Sequence, residues 1–357
     1  MPSQPPLPHL LTPYISSPPP SSLTAVSSVL GATGNWLVLR FLCAALSSSP
    51  NSYAGPGLQG VEAGRKRKVV LVSFLRGWEF WRSEAKRLGL DLARLTEKRQ
   101  FAFVDGLSEL FSPPTAPAPP LPAPSQFRGA GVTPRTTLPT RSHPGLPPPG
   151  PASLRQPAPP SAVVDGPSQT IKEAGPVKRL HLSGNGIAAI DSLERDVAEV
   201  INQLKASSPG EDGEEVLLIV DQPDLLLAAT GPSKGIGATE MGEWIIGLQQ
   251  AATATVVTIS ADSPLIHNAS VSAHQAATPL ETEHAAFAVG LAHRAEMVIQ
   301  LRNLETGAAR DVSGVLRVSK GGAWGHKGNT GEESWEEKEV LYFVQRDGGV
   351  SVFGRGE

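Results

Sequence analysis

The sequence predicts an α/β fold: a doubly wound, mostly parallel sheet with helices on both faces and an antiparallel hairpin region near its C-terminal end. Three observations predict it. Val216-Leu-Leu-Ile-Val220 is apolar at every position, as a strand covered on both faces requires, and the run ends on the carboxylate of Asp221. Strand-like apolar runs alternate with segments whose apolar residues recur every three or four positions. Beyond residue 296 the pattern changes to short strands around turn residues: 297–301 with 314–318, then 340–344 with 350–353 across Asp347-Gly-Gly349.

Taken in order, residues 1–22 form a Pro/Ser-rich head with no apolar periodicity and are expected to be disordered. One domain, 23–357, follows. Its first strand is Leu23-Thr-Ala-Val26. Gly31-Ala-Thr-Gly34 is a turn, and Asn35 can cap a helix reaching about residue 46, with Leu37, Phe41 and Ala44 or Ala45 inward. Residues 68–74 read as a second buried strand. Trp78, Trp81, Ala85 and Leu88 then share one helical face, which Gly89 terminates. A third strand, 101–104, ends at Asp105-Gly106.

From 112 to 176 the composition collapses into Pro, Ala, Ser and Gly, so a disordered insertion is expected to interrupt the domain there. A strand at 177–182 resumes the alternation. Asp191 with Glu194 resembles a capping box, opening a helix striped by Leu193, Val197, Val200, Ile201 and Leu204. After the central strand comes a helix presenting Met241, Trp244, Ile245 and Leu248, then a strand at 255–259. Thr278-Pro279-Leu280-Glu281 combines an N-cap, a first-turn proline and a capping carboxylate, and starts a helix burying Leu280, Phe287 and Leu291.

The totals exclude several classes. At 357 residues and 40% hydrophobic, the chain can build one large core or two small ones, while 34 prolines and 36 glycines predict long unstructured tracts. A net charge of −3 excludes a nucleic-acid polycation. The single Cys43 excludes an intramolecular disulfide and fits a reducing compartment as a buried thiol. Met1-Pro-Ser-Gln lacks the basic start of a secretory signal, and the apolar stretch 29–46 is short and broken by Asn35 and Arg40. A soluble intracellular protein is expected.

Ligands of open α/β sheets gather at the carboxyl ends of the strands, where Asp221 emerges. In nucleotide-hydrolysing folds such an aspartate reaches a magnesium ion, while a Gly-x-x-x-x-Gly-Lys-Ser/Thr loop holds the phosphates. That loop belongs between 23–26 and the helix at Asn35. With Gly34 as its second glycine, Asn35 stands where the lysine should be and Trp36 where the hydroxyl should be. Asn lacks the charge and Trp lacks a metal-binding oxygen. Gly231-Pro-Ser-Lys-Gly-Ile-Gly237 matches no phosphate motif and reads as a flexible loop. No two histidines stand at metal-ligand spacing, and one cysteine builds no zinc site. The sequence therefore offers no catalytic residue, no cofactor site and no metal site. Residues 65–99 hold eleven Lys/Arg against four acids, 11 − 4 = +7, which fits either an RNA-phosphate patch or a solvated helix face.

Several blocks, taken in order, resemble a known family. They are Phe74-Leu-Arg-Gly-Trp-Glu-Phe-Trp-Arg82, Lys86-Arg-Leu-Gly-Leu-Asp-Leu92, Phe103-Val-Asp-Gly-Leu107, Leu217-Leu-Ile-Val-Asp-Gln-Pro-Asp224, Leu301-Arg-Asn-Leu-Glu-Thr-Gly307 and Asp311-Val-Ser-Gly-Val-Leu-Arg317. They look like the sixth subunit of the Elongator complex, over roughly residues 23–320 without the insertion. The Pro-rich head and insertion depart from that family.

The resemblance implies a RecA-like domain with a degenerate catalytic loop. Two copies each of the fourth, fifth and sixth subunits would form a hetero-hexameric ring, which serves Elongator subunits one to three. The ring assists tRNA binding and release during carbon-5 modification of the wobble uridine, and the chemistry belongs to the third subunit. A non-enzymatic, cytoplasmic role follows, with the nucleus left open and no membrane partner. Loops near 230–239 and 262–278 would point into the ring pore. They carry Lys234, His267 and His274, the candidate RNA contacts, beside Arg82 and Lys86 of the basic stretch. Two other classes remain open: an active RecA-like ATPase with an unorthodox phosphate loop, and a cytosolic scaffold recognised through its Pro-rich tracts.

Overall fold

A computed structural model describes residues 7–47, 67–113, 175–207, 215–266, 277–305, 307, 309–325 and 335–354. Ten strands lie in one sheet: β1 Leu23–Ser28, β2 Lys68–Ser73, β3 Phe101–Asp105, β4 Lys178–Arg179, β5 Val216–Asp221, β6 Ala254–Ser260, β7 Met297–Arg302, β8 Gly314–Lys320, β9 Lys338–Val344 and β10 Val350–Phe353. Their order is β10-β9-β8-β7-β1-β6-β5-β2-β3-β4. Every neighbouring pair from β7 to β4 is parallel. The three pairs from β7 to β10 are antiparallel.

Helices cover both faces. On one face lie α1 Thr12–Ile15, α2 Asn35–Leu46, α3 Trp78–Arg87 and α4 Leu92–Glu97. On the other lie α5 Gly186–Lys205, α6 Leu225–Thr230, α7 Ala238–Ala251, α8 Ser263–Ile266 and α9 Pro279–Arg294. Alternate residues of each central strand feed the two cores: Leu217 and Ile219 join the first helix layer, Val216, Leu218 and Val220 the second. All five are buried, at about 1.5–3 kcal/mol each, which makes β5 the middle of the parallel region. Crossovers stepping from β1 to β2 and β3 use the first face, and those stepping back from β4 through β5 and β6 to β7 use the second. Right-handed βαβ connections produce this arrangement.

The expected helical stripes are buried as the periodicity requires: Trp78, Trp81, Ala85 and Leu88 on α3 and after it, the five residues of α5, and Met241, Trp244, Ile245 and Leu248 on α7. Thr278 and Glu281 do form a reciprocal capping box at α9. Gly89 ends α3 with φ +76, a backbone state that favours glycine.

Several expectations are corrected. Residues 7–22 of the expected disordered head carry α1, with Leu11 before it and Tyr14 and Ile15 within it buried; three apolar side chains in five residues suffice to seat it. Residues 1–6 and 114–174, the latter most of the expected insertion, lie outside the described residues. The strand expected at 177–182 shortens to β4, pairing over two residues with β3. Asp191 and Glu194 sit inside α5, which starts at Gly186 after an extended Asn185. Asn35 is the first helical residue of α2 and no cap; Gly34 holds that position, and Asn35 Oδ1 accepts from Thr33 Oγ1 at 2.8 Å. The segment 231–237 contains a 3-10 turn, Pro232–Lys234, between α6 and α7. The short helices α4 and α6 had no expectation at all.

Cys43 lies on α2, half-buried. Burial pushes its thiol up to about 11, so almost no thiolate exists near neutrality. A thiol-specific reagent at pH 8 should leave native Cys43 unlabelled over minutes and label it fully in denaturant. Rapid labelling of the folded chain would contradict the burial.

Candidate functional site

The sheet has two places where adjacent strands send their chains to opposite faces. These are β1 beside β6 and β2 beside β5, and their carboxyl ends form the crevices in which such folds bind ligands.

At the β2/β5 crevice, three neighbouring strands bring oxygen-bearing side chains to one rung. Ser73 pairs with Asp221 across β2 and β5, and Asp221 with Thr258 across β5 and β6. Asp221, 2% exposed, accepts from Ser73 Oγ at 2.8 Å on Oδ2 and from Thr258 Oγ1 at 3.0 Å on Oδ1. Arg76 Nη1 stands 3.6 Å from Oδ2, and its guanidinium lies 5.1 Å from the Phe80 ring centre. Burial pushes the Asp221 carboxyl above the usual range, against the opposing pull of Arg76, Ser73 and Thr258. Both oxygens are thus engaged by protein donors, and a tethered cation stands where a divalent ion would neutralise the carboxylate.

Beyond Asp221 the chain turns sharply. Gln222 takes φ +56, a left-handed state unusual outside glycine. Its N–H donates to the Thr258 carbonyl at 3.1 Å, and its Oε1 accepts from Ser260 Oγ at 2.8 Å. Asp224, 3% exposed, accepts from the Ser260 N–H at 3.2 Å on Oδ2, which also lies 3.2 Å from His284 Nε2. Its Oδ1 is buried without a partner among the described residues.

At the β1/β6 crevice, residues 29–34 make a tight turn with Gly31 at φ +92. The Ala32 N–H returns to the Val29 carbonyl at 2.9 Å, and the Leu30 N–H donates to Asp262 Oδ1 at 2.8 Å. Asn303 Nδ2 donates to the Leu30 carbonyl at 3.0 Å. Two amides that could face an anion are therefore turned to protein acceptors. Trp36 is a core residue, 6% exposed, with its ring 5.0 Å from that of Tyr342 on β9.

The carboxyl edge exposes apolar side chains in its place. Leu30 follows β1, Leu75 follows β2, and Leu107 and Phe111 follow β3, at 82%, 39%, 47% and 58% exposure. Scattered exposed apolar side chains are ordinary, but Leu75 after β2 and Leu107 and Phe111 after the adjacent β3 give that part of the edge an apolar surface suited to a protein partner, while Leu30 stands apart beyond β5 and β6.

Lys234 is exposed at the end of the 3-10 turn, between α6 and α7. His267 and His274 lie outside the described residues. Arg82 pairs with Glu79 at 3.1 Å on α3, and Lys86 is exposed on the same helix. The structure places Lys234 apart from Arg82 and Lys86: the first follows β5 on one face, the others cover the opposite face. Much of the +7 stretch is internally engaged. Arg67 pairs with Glu215 at 2.7 Å, Lys68 is buried with Nζ on the Leu204 carbonyl at 2.7 Å, and Arg87 pairs with Glu84 at 2.9 Å. Lys86, Arg94, Lys98 and Arg99 remain exposed on and around α3 and α4.

The partners of Asp221 were not singled out from sequence, yet a signal exists. Ser73 and Thr258 stand at or near the carboxyl ends of apolar runs, where a polar side chain meets its neighbours' ends. The Asp224–His284 contact had no such signal, since 60 residues separate the two. Among the described residues no group of three His, Cys, Asp or Glu could hold a metal ion, and no helix is long and apolar enough to cross a membrane. No family model matches the chain, and no curated protein matches it.

Proposed function

We propose that this chain is a non-catalytic subunit of the Elongator complex, a RecA-like member of a ring with the fourth and fifth subunits that assists tRNA binding during wobble-uridine modification. The family assignment rests on the ordered blocks between Phe74 and Arg317. The non-catalytic assignment rests on one observation: both oxygens of Asp221 are engaged by Ser73 and Thr258, with Arg76 as counter-ion. The phosphate-loop position, degenerate at Asn35 and Trp36, agrees with it, because Trp36 packs into the core. The strand order also favours the reading: β6 separates β1, which precedes the degenerate loop, from β5, which carries Asp221. The apolar carboxyl edge is the surface such a subunit would offer a neighbour.

Co-expression with the fourth and fifth subunits tests the assembly. A native mass accounting for two copies of each supports the proposal; a monomer that ignores both partners overturns it. For RNA, Lys234 supplies one phosphate contact per copy, weak alone and multiplied by repetition round the ring. Lys234→Glu in the assembled ring should weaken tRNA affinity and flatten its salt dependence by about one charge per copy. Unchanged affinity with an intact ring moves the contact to Lys86, Arg94 and their neighbours.

A further inference from the structure

Arg67 precedes β2 and Glu215 precedes β5, so both stand at the amino end of the sheet, away from the Asp221 crevice. The Arg67 side chain, 17% exposed, holds Glu215 Oε2 through Nε at 2.7 Å. The other end of its guanidinium reaches the head: Nη2 donates to Ser17 Oγ at 2.8 Å and Nη1 to the Ser16 carbonyl at 3.3 Å. Ser17 is exposed and is followed by Pro18. We propose that Ser17 is a phosphorylation site for a proline-directed kinase, and that the two Nη groups of Arg67 receive its phosphate and fasten the head to the amino end of the sheet.

The guanidinium is already turned for that ligand. Its Nη pair is a planar fork that matches two oxygens of one phosphate, and here both Nη groups rest on neutral oxygens of the head while Nε keeps Glu215. A phosphate on Ser17 Oγ replaces the hydroxyl partner with a charge of about −1.5 to −2. Arg65 and Lys66 come directly before Arg67, so three cations in succession lead into β2. Thr12-Pro13, Ser112-Pro113, Ser263-Pro264 and Thr278-Pro279 also pair a hydroxyl residue with proline. Among the described residues none of their hydroxyls is bonded to a cation: Thr12 Oγ1 donates to the Pro8 carbonyl, and Thr278 caps α9.

The head is the part of the domain that one such contact can govern. α1 has four residues and no stability of its own; the burial of Leu11 and Ile15 and the bond from Tyr14 Oη to the Glu336 carbonyl, 2.8 Å, hold it. Pro18 is buried, so a kinase takes the Ser-Pro pair when the head lifts, a local opening that leaves the sheet intact. The γ-phosphoryl group of ATP then passes to Ser17: the bond from Oγ to phosphorus forms, the bond to the ADP oxygen breaks, and the hydroxyl proton goes to the base of the kinase. When the head returns, the phosphate meets Arg67 and opposes the next opening. The device belongs to the isolated chain and does not depend on the ring.

The test compares the full chain with the same chain carrying genetically encoded phosphoserine at position 17. The Tyr14, Ile15 and Ser16 amides, bonded to the Leu11 and Thr12 carbonyls, should exchange about tenfold more slowly with the phosphate present, the effect of one charge-assisted hydrogen bond. High salt should shrink the difference. Phosphorus NMR should place the second ionisation of the phosphate below its free value, about 6, and Arg67→Gln should return it there. A proline-directed kinase with ATP should phosphorylate Ser17 of the unmodified full chain, mapped by fragment masses. A Ser17 that the kinase leaves unmodified, head amides that phosphoserine does not slow, or a phosphate that ionises at its free value overturns the proposal. The phosphoserine chain with Arg67 intact decides the matter even where Arg67→Gln fails to fold.

Discussion

Rebuilding the missing phosphate-loop residues, Asn35→Lys with Trp36→Ser, should destabilise the protein by about 3–5 kcal/mol, the cost of deleting a buried tryptophan, and should create no ATP binding. Trp36 is 6% exposed and packs its ring against Tyr342, so the position is structural. Serine there leaves a cavity between α2 and the antiparallel strands. The nucleotide still finds the Leu30 amide on Asp262 and the Asp221 oxygens on Ser73 and Thr258. Urea unfolding measures the first quantity and equilibrium dialysis with ATP the second. Micromolar ATP binding, by the double variant or by the wild type, abolished by Asp221→Ala, would establish the ATPase reading in place of ours.

The second large effect concerns Asp221 alone. Asp221→Ala leaves two buried hydroxyls without their acceptor and Arg76 without its counter-ion, and should cost about 3–5 kcal/mol. Asp221→Asn keeps an acceptor and the shape, and should cost about 1 kcal/mol near neutrality. The two variants also differ from wild type in pH dependence. Burial raises the folded-state pKa of Asp221 above its unfolded value. Its contribution to stability is therefore complete below the unfolded pKa, about 3.9, and declines as the pH rises through the folded one. Asparagine has no such decline. The stability of Asp221→Asn relative to wild type should consequently increase with pH across that window, read as urea midpoints from pH 3.5 upward. A difference that decreases with pH would mean that Arg76 and the hydroxyls outweigh burial.

Local periodicity carries everything that depends on one segment meeting one environment. Val216-Leu-Leu-Ile-Val220 has to be covered on both faces because no position in it tolerates water. The stripes of α3, α5 and α7 likewise leave one face to bury. Asn35 and Trp36, by side-chain chemistry alone, are unsuited to hold a triphosphate. Those features were legible because a residue's type and its spacing determine them before any partner is chosen.

The exact starts of helices were less legible. Asp191 and Glu194 have capping chemistry, but α5 begins five residues earlier, after the extended Asn185, because Ala189 and Ile190 also bury against the sheet. The head offered too few apolar residues for a periodicity, yet Leu11, Tyr14 and Ile15 bury once α2 and the Trp335-Glu336 segment exist to receive them.

Tertiary structure alone decided the site. Strand order brings Ser73, Asp221 and Thr258 to one rung, although the first is 148 residues from the second. The same order swings Arg76 to Asp221 and packs α9 so that His284 meets Asp224 and Leu265. Contacts across the fold also engage two cations of the +7 stretch, Arg67 on Glu215 and the buried Lys68 on the Leu204 carbonyl, while Lys86, Arg94, Lys98 and Arg99 stay exposed. Sequence by itself determined which segments must be buried and which side chains are unfit for phosphate. Which carboxylate meets which hydroxyl, cation or imidazole depends on contacts between distant segments, and no local pattern encodes them.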